Sequence, residues 1–204
     1  MKKLFLAIVA MIMAAPSFAQ YSSGGFTFNE ESVYYGARIG LTVAGIGGDR
    51  DLGSKAGMTL GGVVGVRCSN SVPVFVESGL YYTERGGKKG SVKTSLNYLE
   101  IPVLIKYGFK ATEGIAILPF IGPYFSYAIG GKTTIEADGV KQKISSFRDG
   151  QYKHADMGFK LGCGAEYNNL YLELGYQFGV TNISKNDQLD ARGHAFVANF
   201  GVNF

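Results

Sequence analysis

Two histidines are the side chains of this sequence best suited to acid–base chemistry near neutral pH. His154 comes shortly before Asp156, and His194 lies in a similarly polar stretch. Hydrolysis by a Ser–His–acid arrangement would need a positioned serine beside one of them. The serines in nearby polar segments are Ser145, Ser146 and Ser184. Their spacing repeats no catalytic signature, and two histidines without clustered cysteines or acids do not make a zinc site, so the sequence predicts no catalytic residue, no cofactor and no metal.

Charged side chains recur at alternate positions of otherwise apolar segments. The same face of this alternating pattern carries Arg38, Arg67, Glu77, Glu100, Lys106, Lys160, Glu166 and Glu173. The opposite face is almost free of charge, as Ile39, Leu41 and Val43 illustrate, and glycines such as Gly61 and Gly164 lie between the charges. Because an unpaired buried charge is costly, the pattern predicts a narrow interior in which these charges pair and long side chains lie over glycines.

The elements that position these charges are strands. The chain has 30 Gly, 13 Tyr and 14 Phe among 204 residues, a composition typical of strands and turns. Period-2 alternation predicts eight strands. They cover residues 33–46, 56–69, 72–86, 94–110, 114–131, 153–167, 170–184 and 191–204.

The connections alternate in predicted length. The long, polar ones are residues 47–55, 87–93, 132–152 and 185–190, and the short ones are residues 70–71, 111–113 and 168–169. Within the third long connection, Asp138-Gly139 is a two-residue turn signal between two alternating runs, which predicts a hairpin. An even number of strands puts both ends of the chain on the same side.

The beginning of the chain predicts export. Lys2 and Lys3 precede an apolar run that is too short to span a bilayer as a helix, and Ser17-Phe18-Ala19 has the form of a cleavage site. We therefore expect residues 1–19 to be a cleaved signal peptide and residues 20–32 to be a short N-terminal segment. The net charge of +4, part of it in the signal peptide, is too small to indicate a nucleic-acid ligand.

Three segments carry a resemblance to a known family. The final strand alternates up to an aromatic last residue, Phe204, and resembles the closing strand of bacterial outer-membrane β-barrels. The run from Asn97 to Tyr107, with the sequence NYLEIPVLIKY, and the run from Gly162 to Tyr167 resemble strands of the porin-like or PorT-like barrel family. The chain is also similar to the small OmpX and OmpA barrels.

This resemblance implies an all-β fold, namely an eight-stranded antiparallel up-and-down transmembrane barrel over residues 33–204. It implies a location in the outer membrane with residues 20–32 on the periplasmic side, and it makes Phe204 the signal that the barrel-assembly machinery reads. Aromatic girdles are expected at both membrane interfaces. The aromatic residues nearer the outer interface are Tyr82, Tyr127, Tyr176 and Phe178. Cys68 and Cys163 fall on the lipid-facing register of opposite strands, beyond the ~7 Å reach of a disulfide, and are interpreted as small apolar residues.

The family motifs specify an architecture and leave the activity open. We expect a non-enzymatic, structural or surface-interaction protein with a side-chain-filled lumen. The alternatives are a small porin-like channel, a membrane anchor of a larger envelope complex, and a rim-located lipid-modifying enzyme. The expected partners are outer-membrane lipid and the assembly machinery, with lipopolysaccharide as a candidate ligand of the loop lysines and a monomer as the expected state.

Overall fold

The computed structural model describes residues 33–49, 52–69, 71–112, 114–137, 140–147, 152–185 and 189–204. The predicted signal peptide and the segment 20–32 lie outside these described residues. In the ranges given, no helix is long and apolar enough to cross a membrane.

The described residues form ten strand segments. They are β1 (Val33–Gly48), β2 (Leu52–Arg67), β3 (Val74–Lys89), β4 (Val92–Tyr107), β5 (Phe109–Thr112), β6 (Ile115–Ala137), β7 (Val140–Ser145), β8 (Ala155–Tyr167), β9 (Leu170–Gly179) and β10 (Ala191–Asn203). We call the end of the sheet at which β1 begins and β10 ends the lower end, and the opposite end the upper end.

The strands close into a ring. β1 pairs with β2 on one side and with β10 on the other, and β4 pairs with β6, so that no principal strand keeps a free edge. Within the described ranges, the ring consists of eight antiparallel strands, namely β1, β2, β3, β4, β6, β8, β9 and β10. β5 continues the line of β4 along β6, and β7 pairs with β6 above the ring. The predicted eight-stranded up-and-down barrel is confirmed.

The barrel is apolar on its outside. Leu41 is 62 % exposed and Ile105 is 56 % exposed, whereas the neighbouring inward residues Thr42 and Leu104 are fully buried. This arrangement reverses that of a water-soluble barrel, and it follows from the two-residue period of the strand. Cys68 and Cys163 are free thiols on the exposed face, which agrees with the absence of a disulfide expected from the sequence.

The upper connections differ from those predicted. The long connections expected at residues 47–55 and 87–93 are wrong, because β1 runs almost to β2 and β3 almost to β4. Polar residues continue these ladders because every backbone group can still pair with the neighbouring strand. Gly90 makes the tight turn after β3 with a φ of 54°. The hairpin predicted around residues 138–139 is present as the β6–β7 pair, whose last rung is Ala137 with Val140.

The seventh predicted strand is shorter than expected. It was predicted to reach residue 184, but β9 ends at Gly179. Beyond the rung of Gly158 with Gly179, the amide of Met157 donates to the hydroxyl oxygen of Thr181 at 2.9 Å instead of to a backbone carbonyl. The amide of Val180 still donates to the carbonyl of Met157 at 2.9 Å, but a side chain replaces the reciprocal bond and the ladder ends here.

Candidate functional site

The interior of the barrel contains most of the buried charged side chains and is therefore the candidate functional site. Seven of the eight charges predicted from the sequence lie inside it and are at most 3 % exposed: Arg38, Glu77, Glu100, Lys106, Lys160, Glu166 and Glu173. The eighth, Arg67, is the last residue of β2 and is half-buried at the lower rim, where its Nε donates to the carbonyl of Ser69 at 2.9 Å. The inward charges form two groups at different heights.

The lower cluster is centred on Glu173 of β9. Its Oε1 accepts a hydrogen bond from Lys160 Nζ at 2.6 Å and another from Asn199 Nδ2 at 3.1 Å. Its Oε2 accepts from the hydroxyl of Tyr171 at 3.3 Å and lies 3.9 Å from Lys106 Nζ. The carboxylate therefore has a partner on both oxygens, which is the condition for a buried charge to be tolerated.

Glu77 of β3 is the second anion of the lower cluster. Lys106 Nζ lies 2.8 Å from its Oε1, and the hydroxyl of Tyr34 donates to its Oε2 at 2.7 Å. Lys106 also donates to the hydroxyl of Tyr171 at 2.8 Å, so that this lysine joins Glu77 to the surroundings of Glu173. The two carboxylates and the lysine between them form one connected unit across the lumen.

Arg38 extends the lower cluster towards the end of the chain. Its guanidinium lies 4.1 Å from the ring centre of Tyr171, a cation–π contact, and its Nη2 donates to Asn203 Oδ1 at 2.5 Å. Asn203 in turn donates to Glu166 Oε2 at 2.7 Å. Arg38 thereby reaches Glu166 through an amide that can both accept and donate.

The upper cluster is built around Arg85 of β3. Its Nη1 donates to Asp156 Oδ2 at 3.0 Å, and its Nη2 is paired with Glu100 Oε2. Gln177 accepts from the same Nη2 at 3.0 Å and donates to Glu100 Oε1 at 2.6 Å. The guanidinium also lies near two aromatic rings, at 4.9 Å from the ring centre of Tyr124 and 5.4 Å from that of Tyr98.

Arg85 and Asp156 are central members that the sequence analysis missed. Both lie on the inner face of their strands. Arg85 is an even number of positions from the inward residue Glu77, and Asp156 is an even number of positions from the inward residue Lys160. Asp156 was considered only as an acid beside His154, and Arg85 lay at the end of a predicted strand. Both lie within the predicted strands 72–86 and 153–167, so the alternation of these strands already assigns Arg85 and Asp156 to the inner face.

Glycines make room for the large inward side chains. A Cβ at Gly164 would lie 2.6 Å from Tyr171 Cζ, and one at Gly61 would lie 2.6 Å from Tyr81 Cδ1. Both are closer than side chains approach one another in folded proteins, so each glycine admits a ring from the neighbouring strand. The interleaving of charge and glycine in the sequence reflects this packing.

An apolar cap closes the upper end of the lumen above Arg85. Buried residues from the strands and from the connections pack together there: Ile46, Leu96, Tyr98, Ala128, Phe147, Tyr152, Ile183 and Ala191. The connections are tied together by a hydrogen bond from the Lys153 amide to the Ile183 carbonyl at 2.7 Å. The lumen is therefore filled by charge pairs and then covered by apolar side chains.

The histidines and serines considered for catalysis are not assembled into a triad in the described part of the chain. The ring of His154 packs against those of Phe147 and Tyr127, with centres 4.7 and 5.8 Å away. Ser146 is fully buried, and its hydroxyl shares a 2.9 Å hydrogen bond with that of Thr133. Across the ranges described, no group of three or more His, Cys, Asp or Glu side chains could hold a metal ion.

The family assignment follows from the sequence match. Residues 18–185 match the family described as Outer membrane protein beta-barrel domain. The chain belongs to this family. The protein is accordingly a barrel of the bacterial outer membrane. A search of curated protein sequences finds no match.

Two solved structures show the same fold at low sequence identity. Neisserial surface protein A is 16 % identical, with a TM-score of 0.50 over 85 % of this chain and 98 % of that one. A major outer membrane protein of Thermus thermophilus is 14 % identical, with a TM-score of 0.50 over 85 % of this chain and 100 % of that one. The attachment invasion locus protein of Yersinia pestis, Ail, is 14 % identical and has a TM-score of 0.46 over 85 % and 100 % of the two chains. The first two likenesses concern the fold alone.

The orientation follows from the connections. Outer-membrane barrels have short periplasmic turns and longer extracellular excursions. At the lower end the turn between β8 and β9 has only Asn168 and Asn169, whereas at the upper end β6 and β7 extend beyond the ring. We therefore expect the lower end to be periplasmic and the lysines and hairpins of the upper end to face the cell exterior.

We expect deletion of Phe204 to impair assembly more than it impairs the folded barrel. In the structure Phe204 is exposed, and its backbone exchanges two hydrogen bonds with Tyr35, at 2.7 and 3.2 Å. Losing them costs the folded state only about 1–3 kcal/mol. The measurements are the amount of heat-modifiable barrel in isolated outer membranes and the urea unfolding of refolded protein. Phe200→Ala, which removes another outward aromatic of β10, is the control and should assemble normally; equal losses in both variants would contradict the assembly role.

Proposed function

We propose that this protein is a non-enzymatic outer-membrane barrel with a closed lumen, acting as a structural or surface-interaction element. The observation that carries the proposal is the filling of the lumen by two hydrogen-bonded charge clusters beneath an apolar cap. An eight-stranded barrel has an interior only just wide enough for side chains to fill. Here the inward side chains are long, and they engage one another from opposite walls.

The packing of the interior argues against a permanently open channel. Phe120 is paired with Lys106 and Tyr81 with Glu100, and both aromatic side chains are buried in the lumen, each at most 4 % exposed. The Nζ atoms of Lys106 and Lys160 both lie 5.5 Å from the ring centre of Phe120, so that the aromatic ring is packed between charged groups. A solute would have to break several buried ion pairs together, and each has a large cost when separated.

The arrangement at the upper rim also supports a non-enzymatic role. A nucleophilic serine must be accessible and must contact its general base. Ser146 and Ser184 are fully buried, and His154 contacts aromatic rings. A rim-located enzyme would need all of these groups to rearrange.

The upper strands favour a surface-interaction role. β6 has 23 residues, whereas crossing the membrane takes about 9–11. Its upper part, paired with β4 and β7, therefore extends the barrel wall outside the membrane. Such an extension suits contact with lipid or with another envelope component, including the case in which the barrel anchors a larger complex.

The closed lumen can be tested by electrical recording. Purified protein inserted into planar bilayers should give no large, stable single-channel steps, because the charge clusters fill the lumen. A variant that removes part of the cap, Phe147→Gly with Tyr152→Gly, should also remain closed, since both clusters are intact. Stable steps from the unaltered protein would contradict the proposal and favour the porin-like channel; steps from the cap variant alone would assign the seal to the cap.

A further inference from the structure

The outer wall formed by β3, β4 and β6 carries lysines in neighbouring rungs above the apolar belt. Lys88 of β3 lies directly opposite Lys93 of β4. Lys132 of β6 lies opposite Ser95 of β4, on the next outward-facing rung below Lys93. All three lysines are exposed. We call Lys88, Lys93 and Lys132 the lysine row.

The lysine row points outward from the barrel. Thr94 and Thr133 are 1 % and 3 % exposed and face inward, so the adjacent residues Lys93 and Lys132 project from the opposite face. Lys88 projects with Lys93, because directly opposed residues of an antiparallel pair share a face. The row therefore faces the medium around the barrel and is separate from the lumen.

The height of the row corresponds to the lipid head groups. Tyr82, Leu99 and Tyr127 form one rung, at the upper edge of the apolar belt. Lys132 and Lys93 lie two and three outward-facing rungs above it, which places their Cα atoms roughly 10–16 Å higher on a strand tilted by about 40°. Lysine side chains near a membrane extend back towards the interface, so their ammonium groups reach the level of the head groups.

Among the described residues, lysines outnumber acids on the outer face of this wall. Like charges placed directly opposite each other destabilise a sheet, yet Lys88 and Lys93 occupy such a pair. Among the described contacts, none is an ion pair of Lys88, Lys93 or Lys132. Besides the inward-facing Glu77 and Glu100, the acids on these strands are Glu84, which accepts from the Tyr82 hydroxyl at 3.3 Å, and Glu136. At the same end of β10, by contrast, Arg192 has an acidic partner, Asp190, at 3.4 Å.

We propose that the lysine row binds the phosphate groups of an anionic lipid in the outer leaflet. The occupant is a phosphorylated glycolipid of the lipid A type, whose phosphates lie at the head-group level while its acyl chains lie against the apolar belt below. The phosphates neutralise the opposed lysines, and the acyl chains cover Leu99 and Ile101, which are 38 % and 46 % exposed. This site rests on the outer-membrane location and is independent of whether the lumen conducts.

Native mass spectrometry of the full-length mature protein, released from detergent with bisphosphorylated lipid A, tests the proposal. The protein should retain this lipid in preference to dephosphorylated lipid A, and inorganic phosphate alone should not displace it. Lys88→Gln with Lys93→Gln and Lys132→Gln should weaken retention by roughly 100-fold, since each of the three lysines near an anionic head group contributes about fivefold. The corresponding triple arginine variant keeps the charge and should keep the lipid.

A matched control removes the same charge elsewhere. Lys110→Gln, Lys185→Gln and Arg192→Gln change three exposed cations outside the row and should leave retention within about twofold, because screened distant charges contribute little. An equal loss in the control, or equal retention of dephosphorylated lipid A, would overturn the site. Displacement by inorganic phosphate would make it a free-anion site and would overturn the lipid assignment. Heat-modifiable gel mobility verifies that every variant is folded, and the conductance recordings remain a separate test of the closed lumen.

Discussion

Replacing Glu173 with alanine is expected to lower the free energy of unfolding by roughly 3–5 kcal/mol. The substitution removes the carboxylate that pairs with Lys160 at 2.6 Å and lies 3.9 Å from Lys106, while both ammonium groups remain buried in the lumen. It also leaves the amide of Asn199 without its acceptor. Urea unfolding of protein refolded in detergent or lipid measures the loss.

Two controls separate this effect from a general loss of side chains. Lys185→Ala, at an exposed position of the last upper connection, should stay within about 0.5 kcal/mol of the unaltered protein. The double variant Glu173→Gln with Lys160→Met should lower the free energy of unfolding less than Glu173→Ala alone, because it removes the carboxylate charge together with one of its cationic partners. If Glu173→Ala and Lys185→Ala cost the same, the lumen cluster does not hold the barrel together as described.

Replacing Arg85 with alanine is expected to lower the free energy of unfolding by a similar amount, roughly 3–5 kcal/mol. Here the substitution removes a buried cation and leaves buried anions. Arg85 donates to Asp156 and is paired with Glu100, and both carboxylates are at most 3 % exposed. Without the guanidinium, two acids share a buried space in which no cation pairs with them among the described contacts. Glu100 keeps Gln177 and Ser126 as hydrogen-bond partners, and Asp156 keeps Tyr124 and Thr181. Urea unfolding again provides the measurement, and the heat-modifiable shift on gels shows whether the variant reaches the folded state.

Neutralising the two acids should recover most of the loss. The triple variant Arg85→Ala, Glu100→Gln, Asp156→Asn keeps the shapes of both acidic side chains and removes the repulsion and the uncompensated charge. We expect it to be clearly more stable than Arg85→Ala. A triple variant as unstable as the single one would mean that Arg85 contributes through packing against Tyr98 and Tyr124, and the charge-based account of the upper cluster would be wrong.

Much of the fold was predictable because the alternation of polar and apolar residues along a strand shows which residues lie on each of its two faces. The run of β4 from Asn97 to Tyr107 alternates so regularly that its inner and outer residues can be assigned without neighbours. The same rule placed Glu77, Lys106 and Glu173 on the inner face. It failed at strand ends, where polar residues such as Lys88 and Lys89 continue a ladder that alternation alone does not show.

The sequence by itself determined that the chain forms alternating strands, that one face is apolar, and that the other face carries nearly balanced charge. The tertiary structure alone decided which charges meet. Arg38 reaches Asn203 across a sequence separation of 165 residues, and Arg85 reaches Asp156 across 71. These contacts depend on barrel closure and on the register between strands, and both are set by backbone pairing of distant segments. A two-residue period specifies the direction in which a side chain points, but it does not specify the partner that the opposite wall brings to it.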